Sequence, residues 1–92
     1  MSQIKRPLVK LEEELKLAKL KNLIQDLSYN VYLAESYIQI TFNPDTHPTV
    51  KMQLFNHIRL NYEVNTIHFL HEEKVLYISY DFWNRYPDQS VG

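Results

Sequence analysis

The stretch from Val50 to Val64, V-K-M-Q-L-F-N-H-I-R-L-N-Y-E-V, decides how this chain is read. Its even positions carry Val50, Met52, Leu54, Asn56, Ile58, Leu60, Tyr62 and Val64. Its odd positions carry Lys51, Gln53, Phe55, His57, Arg59, Asn61 and Glu63. Alternation at period two is the pattern of strands with one buried face. A single strand of that length would span about 50 Å, too long for a small domain, so the segment is predicted to fold back. A turn at Phe55-Asn56-His57 sets Leu54 against Ile58, Met52 against Leu60 and Val50 against Tyr62. The rival is a helix over 49–61, with Pro48 at its start and Val50, Leu54, Phe55, Ile58 and Tyr62 as its stripe. That helix would leave Met52 and Leu60 outside and Lys51 inside. The strand pair is the expected form.

Downstream, Asn65-Thr66 as a two-residue turn sets Val64 against Ile67 and Tyr62 against Phe69. A four-residue loop, His71-Glu72-Glu73-Lys74, sets Phe69 against Leu76 and Ile67 against Ile78. This register places His68 between Glu63 and Tyr77. Upstream, Asn43-Pro44-Asp45-Thr46-His47-Pro48 is a loop, and it sets Ile40 against Met52. Val31 to Phe42 is rich in β-branched and aromatic residues. Its apolar residues change parity near Ala34-Glu35-Ser36, which predicts a bulge or turn there.

The N-terminal part reads as a helix from Leu8 to about Ser28, opened by Pro7 and closed near Tyr29-Asn30. It carries two apolar stripes on nearly opposite sides, Leu8, Leu11, Leu15 and Ala18, then Leu17, Leu20, Ile24 and Leu27. The second stripe adjoins the first strand in sequence and is taken as the sheet-facing set. Leu8, Leu11 and Leu15 then point away from the sheet and are expected to meet a second copy in a homodimer. The expected fold is α+β. A long N-terminal helix (8–28) packs on one face of a four- to six-stranded antiparallel meander sheet (29–82). Residues 1–6 form a flexible arm and 83–92 a tail, all within one domain. No internal repeat is legible.

Composition narrows function mainly by exclusion. Ten basic and 11 acidic residues give a net charge of −1, so no global field draws in nucleic acid or an acidic membrane. Zero cysteines remove disulfide scaffolds and thiolate zinc sites and fit a cytoplasmic protein. No apolar run reaches membrane-spanning length, and the N-terminus lacks the apolar core of a signal peptide. The single glycine disfavours phosphate-binding loops.

Candidate chemistry is sparse. His68-x-x-His71-Glu72-Glu73 holds imidazoles and carboxylates, but the register puts His68 on the outer sheet face and His71 in a turn, so no metal is expected. No serine sits in a nucleophile elbow, and Glu72-Glu73 lies at a turn tip. The run Glu12-Glu13-Glu14 reads as a solvated helix face. The chain therefore reads as non-enzymatic, with no cofactor. The outward sheet positions are mostly polar, but Leu70, Val75 and Tyr77 form an adjacent apolar set, with Trp83 close by in sequence. Such a patch on a solvated face predicts a protein partner. The function expected is a small regulatory or adaptor protein that acts by binding another protein. The alternative is a nucleic-acid-binding module using Lys51, Arg59, Tyr77 and Trp83.

Overall fold

The computed structural model describes residues 6–30 and 35–81. In chain order the elements are α1 (Leu8–Leu20), β1 (Asp26–Asn30), β2 (Glu35–Thr41), α2 (Pro48–Asn61), β3 (Thr66–Leu70) and β4 (Val75–Asp81). The fold is α+β with a four-stranded antiparallel sheet and two helices among the described residues.

The alternating segment is a helix, which overturns the strand pair. Pro48 begins α2, and the residue before it supplies the cap: His47 Nδ1 accepts the Thr49 N–H at 3.0 Å. The helix needs just one stripe. Ile58 is buried, while Lys51, Leu54 and Phe55 are half-buried. Val50, Met52 and Leu60 are 43%, 46% and 58% exposed. The apolar outward residues that made the alternation are ones that a half-solvated helix tolerates. Ile40 therefore faces Leu27 and Leu76, not Met52, and Glu63 is not paired with His68.

The first helix is shorter than expected, 13 residues instead of a run to Ser28. Asn22 stops it, with φ of 63°. The Asn22 N–H donates to the Lys19 carbonyl at 3.0 Å and the Leu23 N–H to the Ala18 carbonyl at 2.9 Å. That bond pair is the Schellman closure, in which Asn tolerates the left-handed residue better than most side chains. The expected end at Tyr29-Asn30 is thereby corrected: those residues lie in a strand, and the helix is closed by Asn22. The freed residues 26–30 become an edge strand.

Shortening the helix also reverses which stripe faces in. Leu8, Leu11 and Leu15 are essentially fully buried, whereas Leu17 and Leu20 are 52% and 81% exposed. The three leucines do not point away from the sheet. They pack with Ile38, Ile40, Ile58, Tyr62, Leu76, Ile78 and Tyr80 in one core. Burial of a leucine is worth about 1.5–3 kcal/mol, so this stripe anchors α1.

The sheet order is β1-β2-β4-β3, which is not a meander. Hairpins β1–β2 and β3–β4 join through an antiparallel β2–β4 pair at the centre. The second hairpin keeps the expected register, with Ile67 opposite Ile78 and Phe69 opposite Leu76. Strands β2 and β3 run parallel with β4 between them, so β2-α2-β3 is a crossover that leaves room for β4.

Element positions reveal a repeat that the sequence had hidden. Strands β3 and β4 begin and end forty residues after β1 and β2, and α2 starts forty residues after α1. The chain is two α-β-β units. Their strand residues correspond chemically at Leu27 and Ile67, Tyr29 and Phe69, Tyr37 and Tyr77, and Ile38 and Ile78. The helices do not correspond: positions 11 and 12 are Leu and Glu, whereas 51 and 52 are Lys and Met. Strand faces tolerate fewer residue types than solvated helix surfaces, so only the strands keep the likeness legible.

Candidate interaction face

Strand parity divides the sheet. Leu27, Tyr29, Ile38, Ile40, Ile67, Phe69, Leu76, Ile78 and Tyr80 share the face that both helices cover. Contacts from each helix mark that side. Lys16 Nζ lies 5.9 Å from the Tyr29 ring centroid, Phe55 stacks on Phe69 at 5.4 Å, and the Tyr80 hydroxyl donates to Glu12 Oε2 at 3.2 Å. The alternate positions make the face that neither described helix covers, here the helix-free face.

The residues at its centre touch one another. Tyr37 and Tyr77 stack with ring centroids 5.9 Å apart and planes 23° from parallel. They are counterparts in the two units, on diagonal positions of the central pair, close enough for aromatic contact. His68 is directly opposite Tyr77, its ring 5.3 Å away. Leu70 is directly opposite Val75, so the expected adjacency of Leu70, Val75 and Tyr77 holds in the register. All three are half-buried. Asn30 Nδ2 donates to the Tyr37 hydroxyl, tying the edge strand to the stack. Trp83 lies outside the described residues. Tyr37 was missed from sequence because the β2 register depended on a partner strand that does not exist at 50–54; its signal was the Tyr-Ile pair at 37–38 repeated at 77–78.

The charge of this face is acidic. Asp26, Glu35 and Asp81 stand on it, and no described position of it is Lys or Arg. The basic residues proposed for nucleic acid are elsewhere. Lys51 and Arg59 belong to α2, with Lys51 Nζ 5.5 Å from the Phe42 ring and Arg59 donating to Asn56 Oδ1 at 3.4 Å. They do not share a surface with Tyr77.

A second cluster joins the helices. Glu14 accepts from Arg6 at 3.3 Å and pairs with His57 Nε2 at 3.0 Å, and Asn61 Nδ2 lies 3.2 Å from His57 Nδ1. The Arg6 N–H also donates to the Asn61 carbonyl at 2.8 Å. Tyr62 packs edge-on against His57 with its hydroxyl buried and making no hydrogen bond. Burial pushes that hydroxyl's pKa from 10.0 to about 12, helped by the nearby Glu14 carboxylate and opposed by Arg6. The acidic run is thus not a uniform solvated face: Glu12 is buried, Glu14 is half-buried and paired, and Glu13 alone is exposed. The cluster contains a possible base and a buried phenol but no activated nucleophile, and it fastens one unit to the other.

Among the described residues no three His, Asp or Glu side chains converge as a metal site requires. No described helix is long and apolar enough to cross a membrane. Comparison with protein-family models, curated proteins and solved structures finds no match.

Proposed function

We propose that this chain is a small non-enzymatic regulatory or adaptor protein of the cytoplasm, acting by binding another protein through the helix-free face of its sheet. The observation that carries this reading is the contiguous group Tyr37, Tyr77, His68, Leu70 and Val75 on a face with no Lys or Arg among the described residues. Aromatic and aliphatic groups set among polar neighbours are the composition of protein-binding hot spots. A nucleic-acid surface needs cations at the stacking platform, and the acidic residues here oppose one. The cytoplasmic assignment rests on the cysteine-free composition.

Affinity capture from the native host, with nuclease treatment and a salt series, tests the reading. A protein should be retained by the wild type through nuclease and high salt, and lost by Val75→Glu. Retention that collapses steeply with salt, or disappears with nuclease, overturns it in favour of the nucleic-acid alternative.

A further inference from the structure

The two edges of the sheet are counterparts, so each serves as a control for the other. Edge β1 reads D-L-S-Y-N and edge β3 reads T-I-H-F-L. At β1 the edge is guarded in the usual way. Asp26 is charged and held by Lys19 at 3.5 Å, and Lys16 sits over Tyr29. At β3, Thr66 replaces Asp26 and Leu70 replaces Asn30, with no charge and no proline on the strand.

Apolar groups reach the rim of β3 on both faces. Leu70 does so on the helix-free side, beside Val75. On the helix side Phe69 is stacked under Phe55. Met52, one turn before Phe55 on the same side of α2, is 46% exposed. Among the described residues β3 pairs with β4 alone, so its outer backbone groups have no described ladder partner in the sheet. An unguarded edge of this kind recruits another strand.

We infer that β3 pairs antiparallel with β3 of a second copy, joining two sheets into one of eight strands. The sequence suits itself in that arrangement. Reversed against itself, T-I-H-F-L sets Ile67 against Phe69 of the second copy, Thr66 against its Leu70 and His68 against its own counterpart, with no Lys, Arg, Asp or Glu on the strand to meet a like charge. Pairing β3 with β1 of another copy would be head-to-tail and would not close, whereas the two-fold pairing closes and leaves only guarded β1 edges outside. This inference does not rest on the helix-free face as a docking surface, and it replaces the seam expected at Leu8, Leu11 and Leu15.

Sedimentation equilibrium on the intact chain at high micromolar concentration tests it, using the wild type, His68→Lys, Leu70→Lys, Ser28→Lys and Val75→Lys. The wild type should have twice the chain mass. His68→Lys should halve that mass with an unchanged circular dichroism spectrum, and Leu70→Lys substitutes for it where His68→Lys unfolds. Ser28→Lys on the other edge and Val75→Lys on an inner strand should remain dimeric. A monomeric wild type overturns the inference, as does a dimer that survives both β3 substitutions. Dissociation by Val75→Lys with the β3 variants intact also overturns it and places association on the helix-free face.

Discussion

Ile38 faces Ile78 at the middle of the central strand pair, and the two residues are forty positions apart. In an antiparallel pair a residue can face its own repeat counterpart only where a local two-fold axis passes. The axis therefore runs between these isoleucines on the covered face and between Tyr37 and Tyr77 on the other. Both isoleucines are fully buried. Ile38→Ala and Ile78→Ala should each cost about 2–5 kcal/mol. Because the two residues are directly opposite in the same core, the double variant should depart from the sum of the singles by at least about 0.5 kcal/mol. Strict additivity in urea unfolding would contradict the central pairing.

Leu11 and Leu60 make opposite predictions from one residue type. Leu11 is fully buried and Leu60 is 58% exposed. Leu11→Ala should cost about 2–5 kcal/mol and Leu60→Ala less than about 0.5 kcal/mol. The reverse order would restore the strand pair over 50–64 and the outward stripe on α1.

Tyr62 predicts an alkaline instability. Its folded pKa is raised from 10.0 to about 12 by burial first, then by Glu14. Between those values the unfolded chain releases the phenolic proton more readily than the folded one. The contribution is therefore fully present below pH 10 and is lost as pH rises towards 12, about 2–3 kcal/mol in all. Tyr62→Phe should remove that part of the alkaline loss and leave stability at neutral pH equal or about 1 kcal/mol higher, since the hydroxyl makes no hydrogen bond. Equal alkaline loss in wild type and variant would contradict this.

The β3–β4 turn holds His71, Glu72 and Glu73 at φ of 53°, 56° and 69°. Left-handed backbone costs a residue with a Cβ roughly 1–2 kcal/mol, a cost that glycine escapes. Glu73→Gly should raise stability by about 0.5–1 kcal/mol after the entropy that glycine adds to the unfolded chain. A loss of that size in thermal unfolding would contradict the turn geometry.

The second hairpin was legible because alternation on both sides of a four-residue turn admits one good register, Ile67 with Ile78 and Phe69 with Leu76. The segment 50–64 was not, because its outward Met52 and Leu60 imitate the inward row of a strand and the cost of exposing them is small. The end of α1 was written at Asn22 but outweighed by the good helix formers flanking it. That error released Ile24 and Leu27 to the wrong element and turned Leu8, Leu11 and Leu15 outward. Four of the five residues of the candidate face, His68, Leu70, Val75 and Tyr77, followed from local pairing. Tyr37 required β2 to be placed beside β4, a contact between residues about forty apart that no local pattern encodes.

The proposed function puts the protein partner on the helix-free face and not on the helix layer. A photo-crosslinking residue at position 77, and as a control at position 56 on the exposed side of α2, tests this in native cells. Position 77 should give a protein adduct that resists nuclease, and position 56 should give none. No adduct at 77, an adduct that nuclease removes, or equal capture from 56 would contradict the account.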